Sequence, residues 1–136
     1  MADCLFCKLV ANEIPSYTVY EDDAVRAFLD PFPAAPGHTL VIPKKHGETL
    51  LSYTPEELGL LWGGVQKVLI GLTRVFATSV FTIGTNHGEP SGIHHYHVHL
   101  IPRTPEDGGG VIQSIVKKPL AEDLAVTHKK VKESIG

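Results

Sequence analysis

His95, His97 and His99 alternate with Tyr96, Val98 and Leu100 in the run from His94 to Arg103. A period of two is that of a β-strand, whose successive side chains point to opposite faces. The three imidazoles would then share one face, about 7 Å from one to the next. Imidazole suits proton transfer, metal ligation and nucleophilic attack near neutral pH, and stability alone asks for no such row. The row reads as an active site. Three histidines at that spacing do not converge readily on one ion, so at least one of them has another task.

Cys4 and Cys7 form a C-x-x-C pair. In a reducing compartment such a pair suits a metal clasp or a redox couple better than a structural disulfide, and about half of such pairs do neither. A closed zinc site needs four ligands. His46, after Lys44 and Lys45, and His95, the outermost histidine of the row, could supply the other two and staple the N-terminal segment to the sheet. No βαβ pattern surrounds the cysteines, which weighs against a thioredoxin-like pair.

Two loops lie near in sequence or in kind. Asn86 to Gly92 feeds the histidine row, and its glycines let backbone amides approach phosphate oxygens, although most such loops are only turns. Phe28-Leu29-Asp30-Pro31 carries a carboxylate beside an aromatic ring. Asp30 could hold a ribose hydroxyl pair, or it could simply form a turn before proline. Trp62 and Phe76 are assigned to the core face of a helix.

The elements that must position these residues are legible from patterning. An Asp3-capped helix is expected over Cys4 to Ala11, closed by Asn12. Strands are expected at Tyr17 to Glu21, Val25 to Leu29, Thr39 to Pro43 and Ser79 to Thr85. Thr54-Pro55-Glu56-Glu57 opens a helix with a cap, a proline at its first position and a capping-box glutamate. Leu58, Leu61, Val65, Val68, Leu69 and Leu72 carry it to about Phe76 at helical spacing. Thr104 to Gly110 reads as mobile surface, and a last helix is expected over Leu120 to Ile135. Short links between neighbouring strands favour an antiparallel sheet with helices packed on it, an α+β domain.

The length of 136 residues suits one domain spanning 1–136 and is too short for two ordinary ones. Twelve Lys and Arg against 15 Asp and Glu give a net charge of −3, which argues against bulk binding to nucleic acid but leaves room for a small phosphate-bearing ligand. The N-terminus lacks signal-peptide regions, and no apolar run reaches spanning length, so a cytoplasmic location and no membrane association are expected.

His95-Tyr96-His97-Val98-His99-Leu100-Ile101 resembles the H-φ-H-φ-H-φ-φ signature of the histidine-triad nucleotide-binding proteins. Cys4-Leu5-Phe6-Cys7-Lys8, Ala27 to Asp30, Pro36 to His46 and Asn86-His87-Gly88 are similar to other segments of that family, in the same order. The resemblance spans residues 3 to 103; the tail, 104 to 136, is not diagnostic. It implies a histidine-triad-like fold with about five antiparallel strands and flanking helices, paired as a homodimer through the long helix and one strand edge.

The resemblance also implies roles. His97 would attack the α-phosphate of a bound purine nucleotide or nucleotide conjugate and form a nucleotidyl-histidine intermediate. His99 would contact the phosphate, and Asn86 would lie near the phosphate and leaving group. Asp30 would bind the ribose hydroxyls and Phe28 would line the base pocket. His38 would stand next to the active site, among the substrate-binding residues. Cys4, Cys7, His46 and His95 would bind a structural zinc, as in the zinc-bearing bacterial branch. Where the family usually carries a glutamine in a Gly-Gln pair, this chain has Ser91 in a shortened loop, and Ser91 and Gly92 would meet the phosphate through hydroxyl and amide. The additional His94 is expected to be structural or solvent-facing.

The implied reaction is hydrolysis that releases a nucleoside monophosphate, AMP by expectation, from a phosphoramidate or a related leaving group. Two alternatives stand beside it. One is a dinucleoside polyphosphate hydrolase or nucleotidyltransferase; the other is a non-catalytic purine nucleotide-binding module.

Overall fold

The computed structural model describes residues 3–88 and 92–136. Its chain order is α1 (Leu5–Val10), β1 (Thr18–Glu21), β2 (Val25–Leu29), β3 (Thr39–Pro43), α2 (Pro55–Phe76), β4 (Phe81–Gly84), β5 (Val98–Pro102) and α3 (Leu124–Ile135), with single 3-10 turns at Leu50–Ser52 and Ile112–Ser114. The five strands form one antiparallel sheet in the order β1-β2-β3-β5-β4. The expected α+β architecture is therefore present.

Period-two alternation gives this sheet two different faces. Val25, Ala27, Val41, Val98 and Leu100 turn to one side, where they pack with Leu61, Val65, Val68 and Leu72 of α2. The other side carries Phe28, Leu40 and Ile42, covered by Phe6 and Leu9 of α1. Register places Phe28 beside Leu40, Leu40 beside His99, and His99 beside Gly84 across four strands. Directly opposed residues share a face, so this line runs from the α1 side to an edge position that has no side chain.

α2 begins as its sequence predicts. Thr54 accepts the amide of Glu57 through its hydroxyl, and the Glu57 carboxylate accepts the amide of Thr54. Each bond satisfies an amide that the first helical turn leaves unpaired. α1 is shorter than expected, and its cap is Cys4 rather than Asp3: the Cys4 thiol sulfur accepts the amide of Cys7 at 3.4 Å. Its other end closes with Asn12 at φ 60, the amide of Asn12 bonded to Leu9 O and that of Glu13 to Lys8 O, the pattern of a Schellman turn. Buried Arg26 then donates to Leu9 O and Asn12 Oδ1, fastening the C-terminal end of α1 to β2.

Four expectations need correction. Only His99 of the three triad histidines lies in β5; His95 and His97 precede it. The cause is a change of partner, since the Tyr96 amide donates to Gly47 O at 2.7 Å instead of extending the ladder with β3. Trp62 is 43 % exposed and does not belong to the core, whereas Phe76 packs against the α2 cluster. The last helix starts at Leu124 rather than Leu120, and none of its side chains is buried. The 104–110 segment is surface, as expected, but it is tied down: Asp107 accepts from the Arg103 guanidinium and from the amides of Thr104 and Gly109.

Candidate active site and metal centre

A cavity of about 650 Å3 opens on the α1 side of the sheet, within the range of small-molecule sites. Phe28, Asp30, Asn86, Gly92, His97 and His99 all line it, so six of the sequence-predicted residues meet in one place. Ser91 lies outside the described residues. His38 does not reach the cavity wall; it is 5 % exposed and lies against His99. His94 is exposed, and it lines a smaller recess that shares Asn86, Ile93 and His97 with the main cavity.

The ring of His97 is oriented by the main chain just before β5. Its Nδ1 lies 2.7 Å from the main-chain oxygen of His95, an atom that can only accept, so Nδ1 carries the proton. The neutral ring then has its lone pair on Nε2, the nitrogen available to attack a substrate.

His99 is oriented by a second histidine. The Ala34 amide donates to His38 Nδ1 at 2.9 Å, so the proton of His38 sits on Nε2. That Nε2–H donates to His99 Nδ1 at 2.8 Å, and the Asp30 carboxylate stands 3.5 Å away. Burial holds the His38 pKa below its ordinary value, against the pull of Asp30, and keeps the ring neutral. With Nδ1 accepting, His99 carries its own proton on Nε2. Asp30, His38 and His99 are close enough together to suggest a cation site. The tautomer speaks against it, because His38 Nε2 holds a proton where a metal would need a lone pair.

Asp30 forms the turn that its sequence context allows and also stands at the cavity. One carboxylate oxygen accepts the Phe32 amide at 2.9 Å and forms the turn before the proline-rich loop. The carboxylate also lines the cavity. Phe28 is buried at its floor and meets Phe6 edge to face, with ring centroids 5.3 Å apart.

Cys4, Cys7, His46 and His95 form a second group, with all four ligand atoms within 4.8 Å of one another. Sulfur-to-nitrogen distances are 3.5 Å for Cys4 and His95, 3.3 Å for Cys7 and His46, and 3.6 Å for Cys7 and His95. A tetrahedral ion with metal–sulfur and metal–nitrogen bonds of about 2.3 and 2.0 Å sets that edge at about 3.5 Å. The outer face of His95 fits as well. Its Nε2–H donates to Pro43 O at 2.7 Å, so Nδ1 turns a lone pair to the group. Burial and the neighbouring Cys4 push the Cys7 thiol above its ordinary pKa, so thiolate here calls for a cation. Four residues thus make a closed group that can hold a metal.

Sequence reasoning missed the α1 wall of the cavity. Leu5, Phe6 and Leu9 line it together with Ile14 and Tyr17. The signal was present in Leu5-Phe6 between the cysteines, but a six-residue helix is too short to show its face by periodicity.

Comparison with known proteins agrees with this geometry. The HIT domain family matches residues 11–106. The protein Hit of Bacillus subtilis is 41 % identical over 113 residues, covering 81 % of this chain and 78 % of that protein. An adenylylsulfatase of Arabidopsis thaliana is 35 % identical over 107 residues, covering 77 % of this chain and 54 % of its own length. The crystal structure of a histidine triad nucleotide-binding protein from Candida albicans superposes with a TM-score of 0.80 at 31 % identity, covering 98 % of this chain and 97 % of that one. With its three alternating histidines, its cavity and these relatives in agreement, the chain belongs to the HIT family.

Proposed function

We propose that the protein is a nucleotide hydrolase that releases a nucleoside monophosphate from a phosphoramidate through a nucleotidyl-histidine intermediate. The observation that carries this reading is His97, whose Nδ1–H is tied to His95 O while the ring lines a nucleoside-sized cavity. His97 Nε2 attacks the α-phosphorus, the phosphorus–nitrogen bond of the substrate breaks, and the leaving amine departs with a proton taken from solvent, which the attacking water returns in the second step. Water then attacks the phosphorus, and the phosphorus–His97 bond breaks to free the monophosphate and the neutral ring.

The other residues divide the work. His99 Nε2–H donates to a non-bridging phosphate oxygen and stabilises charge that grows in the transition state. Asn86 and the amide of Gly92 lie on the phosphate side of the cavity in this reading. Asp30 accepts from the ribose hydroxyls, and Phe28 lines the purine subsite. That relatives act on or bind nucleotides, as the Arabidopsis and Candida proteins are named, supports the assignment.

We assign zinc to Cys4, Cys7, His46 and His95. The four side chains fill a tetrahedral set and leave no open position, so the ion fixes structure and does not enter the reaction. The assignment fits a cytoplasmic location, where both cysteines stay reduced. Among the described residues, no helix is long and apolar enough to cross a membrane. A homodimer is supported by Leu60, Trp62 and Ile70, which α2 leaves exposed.

The test is release of amine and AMP from an adenosine phosphoramidate by wild type and His97→Ala. Turnover that vanishes in a mutant still binding AMP supports the reading. A folded, AMP-binding wild type without turnover sinks it and favours polyphosphate substrates or a binding module. Zinc content equal in wild type, Cys4→Ser and Cys7→Ser would reject the clasp.

A further inference from the structure

Phe6 stands between the two cysteines and touches both sites. Its ring centroid lies 5.3 Å from that of His97 at 89°, 5.9 Å from His95 at 73°, and 5.3 Å from Phe28 at 73°. It is 4 % exposed and lines the cavity. One ring therefore meets a metal ligand, the nucleophile and the floor of the base subsite.

The two ends of α1 are held by different means. Arg26 fastens the C-terminal end by hydrogen bonds to Leu9 O and Asn12 Oδ1. At the N-terminal end, Cys4 and Cys7 meet His95 and His46 within the metal-capable group. An ion in that group would add a link at the turn that carries Phe6, beyond the packing of its ring on Phe28, Leu40 and Ile42. His95 adds a second link, since its ring belongs to the metal group while its main-chain oxygen orients His97.

We propose that Phe6 is a positioning residue through which occupancy of the Cys4–Cys7–His46–His95 group sets the orientation of His97 and the affinity for nucleotide. This rests on the nucleotide reading for its affinity arm only. The ion acts from outside the cavity: with it bound, α1 is pinned against the sheet and Phe6 closes the wall; without it, the wall opens and the His97 ring loses its packing partner.

The experiment compares the full-length protein loaded with zinc and stripped by chelator under reducing conditions. Calorimetry gives the AMP dissociation constant, and ligand-free NMR follows the His97 ring signals. Stripping should weaken AMP binding about tenfold in wild type and shift the His97 signals. In Phe6→Ala, the zinc-loaded form should already show both changes, and stripping should add little; Phe6→Tyr should restore wild-type behaviour. Equal affinity and unchanged His97 signals in stripped wild type overturn the proposal, as does an equal further loss in stripped Phe6→Ala. A protein that takes up no zinc also overturns it.

Should the stripped protein unfold, the zinc-loaded variants decide. Weak binding and shifted His97 signals in Phe6→Ala, recovered in Phe6→Tyr, support the proposal, and wild-type behaviour of Phe6→Ala rejects it. If zinc-loaded wild type fails to bind AMP, the nucleotide reading fails, and the His97 signals alone judge the link.

Discussion

His38 donates its Nε2–H to His99 Nδ1 across 2.8 Å, from a position where it touches no part of the cavity. Through that bond a buried side chain decides which nitrogen of His99 presents a proton. His38→Leu should therefore lower kcat about 100-fold while KM changes little, because the lost donor matters most as charge develops. His38→Gln, whose amide can still donate near the same place, should recover part of the loss. Steady-state kinetics on an adenosine phosphoramidate would show it, and a pure KM effect would contradict the role.

The same burial has a pH signature. His38 is neutral in the folded protein because its pKa is depressed, whereas in the unfolded chain it takes up a proton near its ordinary value of 6.5. The unfolded state thus binds more protons once the pH falls through that value, and stability drops until the lower folded pKa is passed. Urea midpoints at pH 7.5 and 5.5 should fall further for wild type than for His38→Gln. An equal fall in both proteins would show that His38 is not the titrating group.

Asp30→Asn separates the turn made by that carboxylate from its proposed hold on the ribose. Asparagine keeps a side-chain oxygen for the Phe32 amide, so the turn should survive. What it loses is a charged acceptor for hydroxyl donors, so AMP should bind about tenfold more weakly. The preference for AMP over its 2′-deoxy analogue should shrink at the same time. Competition binding measures both, and an undiminished preference would remove Asp30 from the ribose.

Gly37 precedes His38 at φ 85, and an added Cβ would run into the ring of Phe76. Gly37→Ala is strained twice, by its backbone conformation and by overlap with a ring packed on the α2 core. A loss of about 1–3 kcal/mol by chemical denaturation is expected, with zinc content unchanged. A loss within error would mean that the loop relaxes freely.

How much the sequence disclosed depends on how local each signal was. β2 and β3 match their expected spans because an apolar strand and its turn residues are contiguous. The capping box announces α2 within four residues. The histidine strand starts later than its alternation implies because the Tyr96 amide bonds Gly47 instead of β3, a contact set by the whole sheet. The cavity floor followed from motifs, but its α1 wall did not, since Leu5 and Leu9 gain their meaning only when α1 lies across Phe28 and Leu40. The tautomer chain through His38 depends on Ala34 donating to its ring, and no residue type foretells that bond. Trp62 was misjudged because helical spacing marks the centre of an apolar face better than its margin.

The sheet order puts β5 between β3 and β4, so the last strand in the chain is inserted into the middle of the sheet. β1, β2 and β3 can form a meander from the first 43 residues, but its growing edge stays open until residue 98 arrives. Joining β3 to β5 closes a long loop that contains all of α2, a slow step compared with hairpin formation. Three of the four residues of the metal-capable group are present by His46, and the fourth arrives with His95. The oriented His97 ring and the completed four-residue group are thus assembled by a single late event, and a chain arrested before it has neither.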